Sequence, residues 1–176
     1  MTRLNVKRPV SAGGLVPLGT AALDEKQHFA SSAGLRRDTA WAMSQLNVEV
    51  VRDALDAVGR GGLDAMADYW TDDVEHRAIE GAIDDRGPMH GKAAVRAYVQ
   101  DWLDNFDNFR SEAVELLDAG EDTVIAVVRI SGLAKLSGIE TDLTYAALYT
   151  IRDGKIAQGR EYETRQEALE AAGLRE

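Results

Sequence analysis

Four side chains could move a proton or meet a developing negative charge: His76, Glu161, Tyr145 and Tyr149. His76 alternates with Val74 and Ala78 in VEHRAI, a pattern that predicts a strand with these three on one face. If that face looks into an apolar interior, the imidazole there can act as proton acceptor, since its charge changes near neutral pH. Its plainer reading is a hydrogen-bonded wall histidine. Glu161 alternates with Gly159 and Glu163 on the last predicted strand. With that face inward, its carboxyl is the partner of His76 or a second acid. A one-residue slip would turn it to water, or to Arg77, Arg129 or Arg160. Tyr145 and Tyr149 share a strand face and could donate to a carbonyl or enolate oxygen. Aromatics on a half-buried strand also serve simply as wall. Trp70, Tyr98 and Trp102 read as core or pocket lining, and a pocket they lined would suit a flat apolar ligand.

These residues need a sheet and a cover to bring them together. Thr123–Glu163 reads as three long strands: Thr123–Leu133, Ile139–Arg152 and Lys155–Glu163. Asp153-Gly154 supplies the tight turn between the last two. Ahead of them, Ser44 or Asn47 caps a predicted helix through Val58, ended by the glycines at 59, 61 and 62. A short helix over Leu63–Trp70 follows, then the strand Val74–Ile79 and a polar loop over Glu80–Met89. Gly91–Phe106 is the clearest helix, with Ala94, Val95, Tyr98, Val99, Trp102, Leu103 and Phe106 on one stripe. A strand at Arg110–Leu117 leads into the sheet, and Thr164–Ala172 is a short terminal helix. Helices followed by antiparallel strands predict an α+β layer fold, and a curved sheet on helices encloses a cavity suited to a ligand.

Composition narrows the function further. The 176 residues are enough for one domain with a sizeable core. A formal net charge of -10 argues against nucleic acid or an anionic membrane as partner. There is no Cys, which rules out disulfides and thiolate chemistry and fits a cytoplasmic protein. No apolar run is long enough to span a bilayer. His28, His76 and His90 lack metal-ligand spacing, so no metal is expected. GPMHGK, Gly87 to Lys92, is one residue short of a phosphate loop. His90 reads as structural, and Asp72-Asp73 and Asp84-Asp85 as solvated turns. Residues 1–42 hold six Lys/Arg against three Asp/Glu, whereas the remainder holds 14 against 27. That shift sets an expected boundary between an N-terminal extension, read as a flexible arm without helical period, and a domain over 43–176. Asp38-Thr39-Ala40-Trp41 could still form a short helix, and Trp41 could dock somewhere.

The segments MSQLNVEVVRDALDAVGRGGLDAM, YWTDDVEHR, MHGKAAVRAYVQDWL, LYTIRDGKI and REYETRQEALEAAGL, taken in this order, resemble the SnoaL-like (polyketide cyclase-like) proteins of the NTF2-like superfamily. The resemblance covers about Met43 to Leu174. It implies a cone-shaped α+β barrel, a strongly curved antiparallel sheet wrapped on three N-terminal helices, with an apolar pocket and a homodimer. It also implies a small apolar ligand and cofactor-free acid/base chemistry: isomerisation, cyclisation, dehydration or hydrolysis. The alternative is a non-catalytic ligand-binding or dimerisation module of the same fold. Two places where relatives carry acid or His residues fall near Arg77-Ala78 and on Ala147, so both Ala78 and Ala147 become expected pocket lining. Thr164 stands where many relatives have Asp. An Asp-Arg-Asp-like water-activating set would need Arg129 to pair with Glu161 or another acid.

Overall fold

A computed structural model describes the backbone of residues 25–174 and the side chains of residues 41–174. Two units divide the chain at Leu35/Arg36, and the sheet lies in the second. Expectations for residues 1–24 lie outside the described residues. In chain order the described elements are α1 (Glu25–Ala67), β1 (Trp70–Arg77), β2 (Met89–His90), α2 (Gly91–Asn105), β3 (Phe106–Gly120), β4 (Thr123–Ala134), β5 (Glu140–Arg152), β6 (Lys155–Tyr162) and α3 (Arg165–Ala171).

The strands form one six-stranded sheet in the order β2-β1-β6-β5-β4-β3. Alternation in β4 sorts its side chains cleanly: Val124, Ala126, Val128 and Ile130 join the main core, whereas Ile125 packs on the other face against Ala168 and Leu169 of α3. The turn at Asp153-Gly154, both with positive φ, closes the β5–β6 hairpin as the dipeptide predicts. The sheet is curved and unclosed. Register shifts at Asp107/Arg110, Ala113/Glu115 and Asp118/Gly120 in the β3–β4 ladder, and at Thr150/Ile151 in β5–β6, each let one strand bend against its neighbour. The expected antiparallel sheet needs one correction, because β1 and β6 run parallel. The long connection through α2 and the meander leaves β1 lying beside the last strand in that sense.

The helical cover differs from expectation in one respect. The two helices expected on either side of the glycine cluster are present within α1 and meet at Gly62, whose φ 75 and ψ -167 are not helical. Glycine tolerates that conformation, so the cluster ends the first helix and turns the chain into the second. The first helix begins upstream of Met43, at Glu25, where no sustained helical period was legible. Ser44 and Asn47 therefore sit inside a helix and do not cap it. Their side chains reach the β3–β4 turn, Ser44 to Asp118 and Asn47 to Asp122 at 3.0 Å. Trp41, a docking candidate, is 69% exposed. Val48, Val51 and Leu55 of α1 bury their stripe in the main core with Val95 and Tyr98 of α2.

α3 is capped as its sequence dictates. Thr164 Oγ1 accepts from the Glu167 amide at 3.2 Å, and the Glu167 carboxylate accepts from the Glu163 amide at 3.1 Å. Thr164 is thus the N-cap of α3. No described helix is long and apolar enough to cross a membrane.

Candidate functional site

Three strands set the floor of the site through their register. His76 of β1 pairs with Gly159 of β6, and Gly159 pairs with Tyr149 of β5, so these three form one row across the sheet. The next row carries Glu161 opposite Ala147, with Ala126 beyond it. Gly159 is what allows the first row to close up. A Cβ placed on it would lie 2.5 Å from His76 Nδ1 and 3.2 Å from Tyr149 Cε1. The imidazole therefore packs directly against the bare backbone at Gly159, while its other nitrogen faces Glu161. Gly159→Ala is expected to swing the His76 ring away and break its contact with Glu161, with an overpacking cost of about 1–3 kcal/mol. Chemical denaturation together with the NMR shifts of His76 would read both effects, and unmoved imidazole resonances would refute the account.

His76 Nε2 lies 3.1 Å from Glu161 Oε1, with both side chains nearly buried. The other carboxylate oxygen of Glu161 accepts from the Tyr98 hydroxyl at 3.0 Å. Tyr98 comes from the buried stripe of α2, and its ring tilts against the imidazole with centroids 5.4 Å apart. Asp84 enters from the loop between β1 and β2, with Oδ2 3.1 Å from the same hydroxyl. A hydroxyl has one proton, so Tyr98 can donate to one of these carboxylates at a time.

The loop that delivers Asp84 is held by its neighbour. Asp85 accepts from the amides of Gly81 and Gly87, each at 2.8 Å. Those backbone bonds, from Gly81 first and then Gly87, hold the Asp85 carboxyl below its ordinary range. The reading of Asp84-Asp85 as a solvated turn is thereby corrected: Asp85 clasps the loop and Asp84 faces the cavity.

The cavity has a volume of about 290 Å³ and lies between α1, α2 and the inner face of the sheet. Leu55, Met66, Val95, Ile130, Leu143 and Phe109 supply much of its apolar wall. Trp70, Tyr98, Trp102, Tyr145 and Tyr149 also line it, together with His76 and Glu161. The structure thus brings all four chemistry candidates and all three aromatic candidates to one cavity. Ala78 and Ala147 do not line it. They are fully buried in the core, where short methyls under the neighbouring side chains leave them no surface toward the opening.

Tyr145 and Tyr149 have no hydrogen-bond partner among the described residues, and Tyr149 is 6% exposed. Burial, followed by the negative field of Glu161, pushes both hydroxyls well above the ordinary tyrosine range. The same two causes, in the same order, raise Tyr98. All three remain proton donors through the neutral range.

Other expected partners lie elsewhere. Arg129 pairs with Asp142 across β4 and β5, with Nε 2.8 Å from Oδ1, on the exposed side of the sheet. The odd-even alternation of β4 that buries Val128 and Ile130 turns Arg129 outward, so no water-activating set forms with Glu161. Arg77 pairs with Glu80, and Arg160 lies over the Tyr162 ring. His90 is exposed and lies 3.2 Å from Glu75, a surface contact as expected.

Solved structures of similar fold come from several sources, all at low identity. An NTF2-like protein from Burkholderia thailandensis is 24% identical, with a TM-score of 0.59 over 73% of this chain and 98% of the other. A protein from a soil-derived mobile gene cassette is 18% identical, with a TM-score of 0.61 over 73% and 96%. A candidate SnoaL-like polyketide cyclase from a Jannaschia species is 20% identical, with a TM-score of 0.59 over 73% and 91%. No curated protein matches the sequence. The model of the SnoaL-like domain matches residues 51–159, spanning the helical cover, the loop with Asp84 and the row of His76, Gly159 and Tyr149. By that match the chain belongs to the SnoaL-like domain family, within the NTF2-like fold.

Proposed function

We propose that this protein is a cofactor-free acid/base enzyme that shifts a proton on a small apolar carbonyl compound. The observation that carries the reading is the His76–Glu161 contact at 3.1 Å inside an apolar cavity that also holds unpartnered tyrosine hydroxyls. His76 was the expected proton acceptor, but its Nδ1 lies against the backbone of Gly159 and its Nε2 faces Glu161. With the proton on Nε2, the imidazole donates to the carboxylate, and Glu161 becomes the base. Glu161 takes a proton from the carbon next to the carbonyl, so a C–H bond breaks and an O–H bond forms. The freed electron pair moves to the carbonyl oxygen, where Tyr145 or Tyr149 donates a hydrogen bond to the enolate. Return of the proton to a different carbon completes an isomerisation. His76 is the positioning residue for Glu161 and stabilises its charge.

Hydrogen–deuterium exchange at carbon tests this without knowledge of the natural substrate. Small apolar ketones that bind, as reported by fluorescence of Trp70 and Trp102, are incubated with the protein in D2O and followed by NMR. Protein-dependent exchange is the expected result. Ligands that bind and never exchange would instead establish the alternative, a binding module without turnover.

A further inference from the structure

We infer that the ligand carries a protonated amine and that Asp84 is its seat. This names the ligand class of the cavity and rests on its being a ligand site, as proposed above. The charge around the opening points one way. Two carboxyl groups, Asp84 and Glu161, line the cavity, and no Lys or Arg does. Arg86 lines the adjoining space with Asp84, Tyr98 and Trp102, and there it is paired with Asp101. Arg77, on the adjoining strand, is paired with Glu80. An organic anion would add a further negative charge where no cation answers it, and burying such a charge unpaired is costly.

Hydrogen bonding makes the same selection. Tyr98 has one proton for the two carboxylates it touches, at 3.0 and 3.1 Å. When that proton goes to Glu161, Asp84 is left without one. Glu161 has a second contact in His76, whereas Asp84 has no other partner among the described residues. A ligand N–H completes Asp84, and the Tyr98 proton then belongs wholly to Glu161. Aromatic faces from Tyr98 and Trp102 line the space beside Asp84, and such faces attract cations. At the other end Tyr149, nine-tenths buried and unpartnered, offers its hydroxyl to a ligand oxygen. The occupant that satisfies both ends is an apolar amine bearing a carbonyl group.

Three isosteric probes test the charge selection: phenethylamine, phenethyl alcohol and phenylacetate, titrated at neutral pH with tryptophan fluorescence and calorimetry. The amine is expected to bind at least about tenfold more tightly than the alcohol, the range of a charge-assisted hydrogen bond. The acid should bind more weakly than the alcohol. Asp84→Asn should bring the amine within about threefold of the alcohol and leave the alcohol where it was, which also shows that the variant folds. Equal affinity for all three probes, or a preference for the acid, overturns the inference. An amine preference that survives Asp84→Asn overturns the assignment of the seat. Failure of all three to bind overturns the ligand-site reading with it. An amine preference lost in Asp84→Asn, found together with ketones that bind and never exchange, leaves this inference standing and removes the enzyme.

Discussion

Glu161→Gln is expected to slow proton exchange at carbon by about 10²–10⁴-fold, the usual worth of a positioned general base. The substitution keeps the shape of the side chain and its ability to accept from Tyr98 and His76, so the 3.0 and 3.1 Å contacts can persist. What it removes is the site for the proton. Affinity for a bound ketone should therefore change little while the exchange rate collapses. His76→Ala separates positioning from proton transfer. It removes one of the two donors to the Glu161 carboxylate, so exchange should fall by less than in Glu161→Gln. If Glu161→Gln exchanges at the unaltered rate, the base lies elsewhere and the mechanism fails.

Above pH 10 the fold should lose stability steeply because of its three pocket tyrosines. Tyr98, Tyr145 and Tyr149 all have their ionisation raised in the folded state, chiefly by burial and then by Glu161. A group whose folded pKa is raised contributes its full stability below its unfolded value, about 10 for tyrosine. That contribution is lost as the pH climbs from there toward the folded value. Each tyrosine then costs about 1.4 kcal/mol per pH unit, and the three together about 4. Set against a typical stability of about 5–15 kcal/mol, this should unfold the chain within a few pH units. Denaturant titrations from pH 9 to 12 would measure the slope. Tyr145→Phe should lower it by about a third and change little at neutral pH, since that hydroxyl has no partner to lose. An identical slope in the variant would show that Tyr145 ionises freely in the folded state.

The parts of this architecture most legible in the sequence were those with short-range causes. Alternation placed β4 to β6 within a residue or two, and the stripe of α2 was plain, because a half-buried strand or helix must repeat its apolar residues at a fixed period. The tyrosines and Glu161 could be named as candidates, but their common face depended on register. Register is set across strands, and a single sequence does not show which residue of β1 faces Gly159. Asp84 was missed because its meaning lies in Tyr98, which approaches from a helix across the cavity. Its sequence context, an acidic pair between glycines, also describes any exposed turn. The glycine at 159 was the one available signal that something large must lie over β6. The glycines at 59–62 were a sound signal, since the break between the two helices of α1 falls at Gly62.

The position of β6 has a consequence for how the molecule comes into being. It is the last of the six described strands to leave the ribosome, yet it lies between β1 and β5 and joins them. Until it arrives, β1 and β2 have no route into the sheet that β3, β4 and β5 can already build. His76 and Glu161 are 85 residues apart in sequence, so the proton-transfer pair is assembled in this closing step. Nascent chains paused before β6 would expose the edges of both β1 and β5, together with the apolar surface meant for the cavity. For such chains the strand that completes the chemistry is also the one that ends their exposure to chaperones and to one another.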